Sequence, residues 1–233
     1  MKTRSLVGPV VRRGVLLPAV VFVASTFLAS LLVTGENAPA ALDLPTVWKA
    51  PTDTWITYGA TLSDLDGDGR PDVLTAGVGS VTAVSAEGKR LWQFNELSRL
   101  ECPVAVLERP GLPRRLYIGD NQGRFVCLDT QGEVVWRTTL SGTVNWTAAC
   151  ICDLTGDGKF EVVQGDRSHH VTALDAESGN KVWEAEVLGS VDASMAVADL
   201  DGDGKLEVVV PCSVGEIQVL NSDGTPRWHT KVA

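Results

Sequence analysis

Beyond residue 45 the apolar residues come in short runs broken by Gly, Asp and Asn. The C-terminal stretch shows the order plainly. Ser194–Ala198 is a short apolar run, an acidic loop follows, and Leu206–Cys212 is almost continuously apolar. A Gly turn then leads to Glu216–Leu220, which alternates; Asn221–Gly224 is a turn, and Arg227–Val232 alternates again. Period-two alternation marks a strand with one buried face, and a short apolar run between turn residues marks a strand buried on both. The pattern predicts four short strands in about 45 residues, joined by tight turns. No stretch of helical period occurs after residue 45.

The same unit recurs. Trp48, Trp92, Trp136, Trp183 and Trp228 are spaced by 44, 44, 47 and 45 residues, and Gly88, Gly132, Gly179 and Gly224 stand four residues before the last four of them. Asp64-Leu-Asp66-Gly-Asp68-Gly returns as Asp153-Leu-Thr155-Gly-Asp157-Gly and as Asp199-Leu-Asp201-Gly-Asp203-Gly. The missing copy falls near Glu108, where Glu-Arg-Pro-Gly-Leu-Pro is a turn without the acidic ligands. Four antiparallel strands repeating at this interval predict an all-β fold, a β-propeller of four-stranded blades. A β-sandwich, the alternative, lacks so strict a repeat. The blades fall at about 54–96, 101–140, 144–187 and 191–232, and residues 44–50, around Trp48, form an extra outer strand. Because the last blade already owns Trp228, the extra strand has no blade in this chain to complete. Six to eight such blades need roughly 270–360 residues. The expectation is therefore a partial propeller that exposes two apolar blade faces and can self-associate through them. A closed four-bladed ring and a pairing of two half-rings are the alternatives.

Recurrence also gives the tryptophans a role. A buried Trp removes roughly 150–250 Å² from water, at most about 4–6 kcal/mol. Five at a fixed interval read as docking groups between blades rather than as platforms for sugar stacking.

These features resemble two kinds of propeller repeat. The strand-ending Ala173-x-Asp175-x-x-Ser178-Gly179-x-x-x-Trp183 is similar to the tryptophan docking motif of quinoprotein-type propellers, with Ser178 in place of Thr; the other repeats lack one residue before the Gly. The acidic loops resemble those of FG-GAP/VCBS repeats, the calcium-loop propellers that include integrin α heads. The resemblance covers residues 45–232. It implies up to three structural Ca²⁺ ions, held by Asp64, Asp66, Asp68, the Arg70 carbonyl and Asp72; by Asp153, Thr155, Asp157, the Lys159 carbonyl and Glu161; and by Asp199, Asp201, Asp203, the Lys205 carbonyl and Glu207. Alternate oxygens around a Gly-bearing turn suit the six to eight ligands calcium takes, and Thr155 makes the second of these loops the weakest. An EF-hand is excluded, because its twelfth position is Thr75, Gln164 or Val210 rather than Glu.

Charge and composition narrow the function. The 233 residues carry a net charge of −9. Residues 1–40 are locally basic, so the repeats are distinctly acidic, which argues against a nucleic-acid partner. Lys2, Arg4, Arg12 and Arg13 precede an uncharged run from Val15 to Thr34, and Ala38-Pro39-Ala40 offers a small-x-small cleavage site. Residues 1–40 thus fit a signal peptide and a membrane anchor equally, and both put the repeats outside the cytoplasm, as a periplasmic, secreted or outward-facing anchored protein.

Other candidates are weaker. Trp55, Trp146 and Asp192 precede the first strands of three blades and outline a possible ligand funnel at the propeller axis. His169–His170 reads as a solvated turn. Of the five Cys, Cys102 and Cys150 could pair, but buried free thiols are the simpler reading. Asn145-Trp146-Thr147 matches a glycosylation sequon. No GxSxG, HExxH, Walker or dinucleotide fingerprint occurs. The reading is an extracytoplasmic, calcium-stabilised, non-catalytic scaffold for a protein or glycan. A quinone-dependent dehydrogenase and a polysaccharide lyase are the alternatives. The dehydrogenases that the docking motif resembles carry adjacent cysteines against the quinone, and this chain has no Cys-Cys pair, so PQQ is not expected.

Overall fold

The computed structural model describes residues 47–53, 55–56 and 58–232. The leader or anchor at 1–40 and the first part of the 44–50 strand lie outside them.

Sixteen strands form four antiparallel sheets in chain order. The first holds β1 (Thr61–Ser63), β2 (Asp72–Ala76), β3 (Val81–Val84) and β4 (Arg90–Phe94). The second holds β5 (Ala105–Leu107), β6 (Arg115–Gly119), β7 (Arg124–Leu128) and β8 (Val134–Thr139). The third holds β9 (Cys150–Cys152), β10 (Glu161–Gly165), β11 (His170–Asp175) and β12 (Lys181–Glu186). The fourth holds β13 (Ala196–Ala198), β14 (Glu207–Cys212), β15 (Glu216–Leu220) and β16 (Pro226–Lys231). No helix occurs among the described residues, and so none long and apolar enough to cross a membrane. These are the four blades the repeat predicts. The middle strands are the most buried, as near-continuous apolar runs require.

The three-residue first strands line the inside. Strand β1 touches β5, β5 touches β9 and β9 touches β13, whereas β13 does not reach β1. The four blades therefore stop short of a ring, which overturns the closed four-bladed alternative.

What joins successive blades is an indole laid on a glycine. The Trp92 ring of the first blade covers Gly132 of the second, where an added Cβ would come within 2.7 Å of it, and its Nε1 donates to the Thr130 carbonyl at 2.8 Å. Trp136 covers Gly179 and donates to Ala176 O at 3.0 Å. Trp183 covers Gly224 and donates to Ser222 O at 2.9 Å. These turn glycines have φ between 70° and 83°. Only a residue with no Cβ both adopts that backbone cheaply and lets a ring lie flat against it. A bulge precedes each tryptophan: Ala83 pairs with Trp92 but Val84 with Arg90, and the same shift recurs at Cys127/Leu128, Ala173/Leu174 and Val219/Leu220. The extra residue bends each outer strand beside the ring it presents to the next blade.

The two ends of the series differ. Trp48 covers Gly88 and donates to Ala86 O at 3.0 Å, so it does the docking group's work on the first blade. It does so without the predicted extra strand, since residues 47–50 have no ladder partners. Among the described residues no blade covers Trp228, which is 46% exposed, against 9% for Trp136.

This contrast sets relative costs. Trp136, packed against Tyr117 and Phe125 with centroids 5.9 and 6.1 Å away, should lose about 3–5 kcal/mol on Trp136→Ala. Trp228→Ala should lose less than about 1 kcal/mol, as an exposed site does. Urea unfolding of both variants at high dilution measures the difference.

Candidate functional site

In a four-stranded antiparallel blade the first-to-second and third-to-fourth connections lie at one end, and the remaining connections at the other. The acidic loops and the docking turns share the first end. In the first loop, Gly67 and Gly69 N–H donate to Asp64 at 2.8 and 3.1 Å, and both residues have positive φ. Asp72, 1% exposed, accepts from Leu65 N–H at 2.8 Å through Oδ2, while its Oδ1 is buried without a partner. Asp64, Asp66 and Asp72 each bring one oxygen within 4.8 Å of the others, and so do Asp199, Asp201 and Asp203. The loop of Asp153, Thr155, Asp157 and Glu161 forms no such group of three among the described residues.

Several predicted ligands are turned elsewhere. The Asp68 carboxylate faces Arg70, which holds it below the usual carboxylate range, and the Arg70 N–H donates to it at 2.8 Å. Lys159 and Lys205 N–H likewise donate to Asp157 and Asp203, at 2.9 and 2.8 Å. Arg227 lies 2.5 Å from Asp201 and holds its carboxyl low, and it stands 3.5 Å from buried Glu207, which accepts from Leu200 N–H at 2.8 Å. Glu161 accepts from Leu154 N–H at 2.8 Å, and burial raises its carboxyl. In the second blade Glu108 stands where Asp64 stands, and it binds Arg114 at 2.7 Å and Ser63 at 2.9 Å. A guanidinium thus faces a carboxylate in the first, second and fourth blades.

The opposite end holds the second constellation. Trp146, on the connection from β8 to β9, has φ 64° and is 42% exposed. A bulky side chain rarely adopts that backbone, and such strain persists only where neighbours enforce it. Here Trp146 N–H donates to Glu101 O at 2.7 Å, and its side chain stands near the Tyr58 hydroxyl. Glu101 is in turn held by Arg99 at 2.7 Å and, with its amide oriented to satisfy both atoms, by Asn145 at 3.1 Å. The Arg167 guanidinium lies over the indole, 4.9 Å from its centroid, and its Nε is 3.2 Å from Asp192 Oδ1. Four connections thus meet around one aromatic ring.

Two of the three funnel residues are therefore brought together, through an arginine the sequence did not single out. Trp55 stands apart at 83% exposure, its carbonyl accepting from Val78 N–H at 3.2 Å. Trp146 was legible as an isolated Trp before a strand; Tyr58, Arg99, Glu101 and Arg167 carried no spacing or motif that could have marked them. The sequon reading fails, because Asn145 and Thr147 are buried. His169 has φ 69° and opens the turn into β11, where His170 N–H donates to Asp166 at 3.0 Å.

The cysteines follow the simpler reading. All five are free, Cys150 half-buried and the others buried, and Cys102 lies before β5 while Cys150 opens β9. Cys102 Sγ points to Gly119 O and Cys150 Sγ to Met195 O. Burial pushes Cys102 up to about 11 and Cys127 and Cys152 up to about 12, which leaves no activated thiolate among the three.

A family model described as outer membrane protein assembly factor BamB (PQQ_2) matches residues 77–233. The chain belongs to this family. Among solved structures, BamB from Moraxella catarrhalis is 22% identical with a TM-score of 0.52; the alignment covers 75% of this chain and 51% of that one. The quinohemoprotein alcohol dehydrogenase of Comamonas testosteroni is 18% identical with a TM-score of 0.53, covering 76% and 36%. A europium-containing methanol dehydrogenase is 14% identical with a TM-score of 0.57, covering 76% and 41%. At these identities the likeness is one of fold, and the chain spans about half or less of each structure. No curated protein sequence matches.

The thiol environment has a direct check. At pH 8 the native chain should react with a thiol-specific disulfide reagent far more slowly than an exposed Cys does, and all five thiols should react at once in denaturant. Four or fewer thiols in denaturant would mean that a disulfide exists.

Proposed function

We propose that the protein is an extracytoplasmic, non-catalytic scaffold that binds a protein partner in outer-membrane assembly through the end bearing Trp146. The observation that carries this is the cluster of Tyr58, Trp146 and Arg167. Trp, Tyr and Arg dominate the energetics of protein interfaces because each offers a large rigid area with a polar tip. A half-exposed indole held at a strained φ and roofed by a guanidinium is a preformed contact of that kind. The family's description supplies the process, and a leader or anchor at 1–40 agrees with the location. A synthetic ten-residue peptide alternating apolar and polar positions, as one strand of an outer-membrane barrel does, is a suitable probe. It should bind the chain immobilised at its N-terminus, and Trp146→Gly should weaken binding about tenfold or more, or ~1.4 kcal/mol. Glycine suits φ 64°, so the melting temperature should not fall. Equal binding by both proteins would overturn the reading, as would capture of an oligosaccharide instead.

Calcium is the second element of the proposal. The orphaned Oδ1 of Asp72 beside Asp64 and Asp66 supports it, since a buried carboxylate oxygen without a donor costs free energy that a divalent ion recovers. Asp64, Asp66 and Asp72 would hold one ion, and Asp199, Asp201 and Asp203 a second, with Arg227 competing there. Such ions would stiffen the loops. At a hundredfold excess over Kd one site adds about 2.7 kcal/mol, which is roughly 5–10 °C in Tm for a chain of this size. Calcium should raise the melting temperature over chelator, and Asp72→Asn should remove most of the contribution of the first loop. A melt indifferent to calcium would leave these loops as metal-free turns.

The fold likeness to quinone-dependent dehydrogenases favours one alternative. Dye-linked alcohol oxidation after reconstitution with PQQ and Ca²⁺ would establish it; we expect none, because no two cysteines are adjacent.

A further inference from the structure

The end of the blades that bears Trp146 meets solvent through guanidinium groups. Three ion pairs stand there, and in each the arginine is the more exposed member. The Arg99 side chain is 56% exposed and that of Glu101 11%; Arg124 is 41% exposed and Asp120 fully buried; Arg167 is 44% exposed and Asp192 28%. The carboxylates are drawn inward by other donors. Asp120 accepts from the N–H groups of Ser98, Gln122 and Arg124 at 2.9–3.0 Å, and Glu101 takes the Asn145 amide. The opposite end is the reverse, since Asp66, Asp157, Asp199 and Asp203 of the acidic loops are exposed. Two exposed carboxylates on the Trp146 end, Glu96 and Glu186, belong to its periphery: Glu96 follows the outer strand β4 and pairs with Arg137, and Glu186 ends the outer strand β12.

We propose that the segment bound at this end is acidic: an extended peptide that carries an Asp or Glu beside a large apolar residue. This rests on the scaffold reading and names the chemistry of its partner. Arg167 lies over the Trp146 ring, 4.9 Å from its centroid, and the exposed part of the indole is left for an apolar side chain. The same guanidinium is open to a carboxylate. Its Nε is 3.2 Å from Asp192 Oδ1, yet that oxygen has no hydrogen-bond partner, so the pair is out of alignment and does not consume the fork of N–H donors. A carboxylate can take such a fork through both oxygens. Arg99 lies within electrostatic reach of the Tyr58 hydroxyl, which stands by Trp146, so a second guanidinium borders the same ring. A basic segment would meet these donors first and find the carboxylates recessed behind them. An anionic membrane surface would have to approach a chain of net charge −9, whereas a peptide needs only the local match.

Three synthetic ten-residue peptides test this, with the same apolar positions and Glu, Gln or Lys between them. On the immobilised full chain the Glu peptide should bind about tenfold or more tightly than the Lys peptide, and several-fold more tightly than the Gln peptide. The net charge of −9 by itself favours the Lys peptide, so the expected order reports the local arginines. Arg167→Gln should weaken the Glu peptide about tenfold and leave the Gln peptide within about twofold. Arg167→Glu should bring the Lys peptide ahead. Arg99→Gln is the second variant, with a several-fold loss of the Glu peptide. Lys89→Gln, between β3 and β4 at the opposite end, should change neither. Arg167 is exposed, so its variants should melt with the parent chain, which separates loss of contact from loss of fold. A Glu peptide no tighter than the Gln peptide would overturn the proposal. So would a preference for the Lys peptide, an unchanged Glu-peptide affinity in Arg167→Gln, or capture of the chain by phosphatidylglycerol vesicles in place of the peptide. A Gln peptide that binds as well as the Glu peptide and still needs Trp146 would leave the scaffold reading standing without this one; if no peptide binds, both fall.

Discussion

An indole lying flat on a glycine, with its N–H on a nearby carbonyl, is the contact on which the rest of this structure depends. A four-stranded blade cannot bury both of its faces alone. The tryptophan covers the receiving turn, and the hydrogen bond fixes where along the face the ring settles. The constraint is steric before it is energetic. A Cβ at Gly132 or Gly179 would sit within 2.7 Å of the ring, so the turn must be glycine, and the glycine then supplies the left-handed backbone that closes the hairpin. One residue type thereby satisfies two demands. The third blade tests this: its turn is one residue longer, Gly179 N–H reaches back four residues to Asp175 rather than three, and the glycine still arrives under the ring.

The blades were legible because their determinants are local. Strand length, alternation, turn residues and the interval between tryptophans are all written within 45 residues. The pairing across blades was not. In the sequence Gly132 stands four residues before Trp136, yet it receives Trp92. A periodic series has no internal mark of which neighbour a group faces. The extra strand failed for a related reason. Trp48 has the docking residue's position in the series, and it docks, but a strand also needs a ladder partner, and none lies beside residues 47–50.

The site was legible only in part, for a different reason. Arg167 reaches Trp146 from the β10–β11 turn, at the far end of the strands from the tight turns that the repeat marks. Its partner Asp192 comes from a third segment, so no spacing relates the three. What the sequence did contain was the isolated Trp at a loop position, without the reason for its conformation. The acidic loops were the reverse. Their pattern is local and was read correctly as a tight turn, but the way Arg70 and Arg227 turn onto Asp68 and Asp201 depends on side chains that the motif does not include.

The second blade shows how such a loop can carry its own cation. Glu108 holds the place of Asp64, and Arg114 supplies the opposing charge from within the same turn. An ion pair so exposed adds little stability, yet it sets a positive charge beside the carboxylate that follows the first strand. Where no arginine can reach, as at Asp72, a buried oxygen is left without a donor. The loops at Asp64, Asp153 and Asp199 thus keep one backbone turn while the cations that face their carboxylates differ. Charge balance at this end of the blades then depends on which carboxylates meet a cation of their own, Glu108 on Arg114, Asp68 on Arg70 and Asp201 on Arg227.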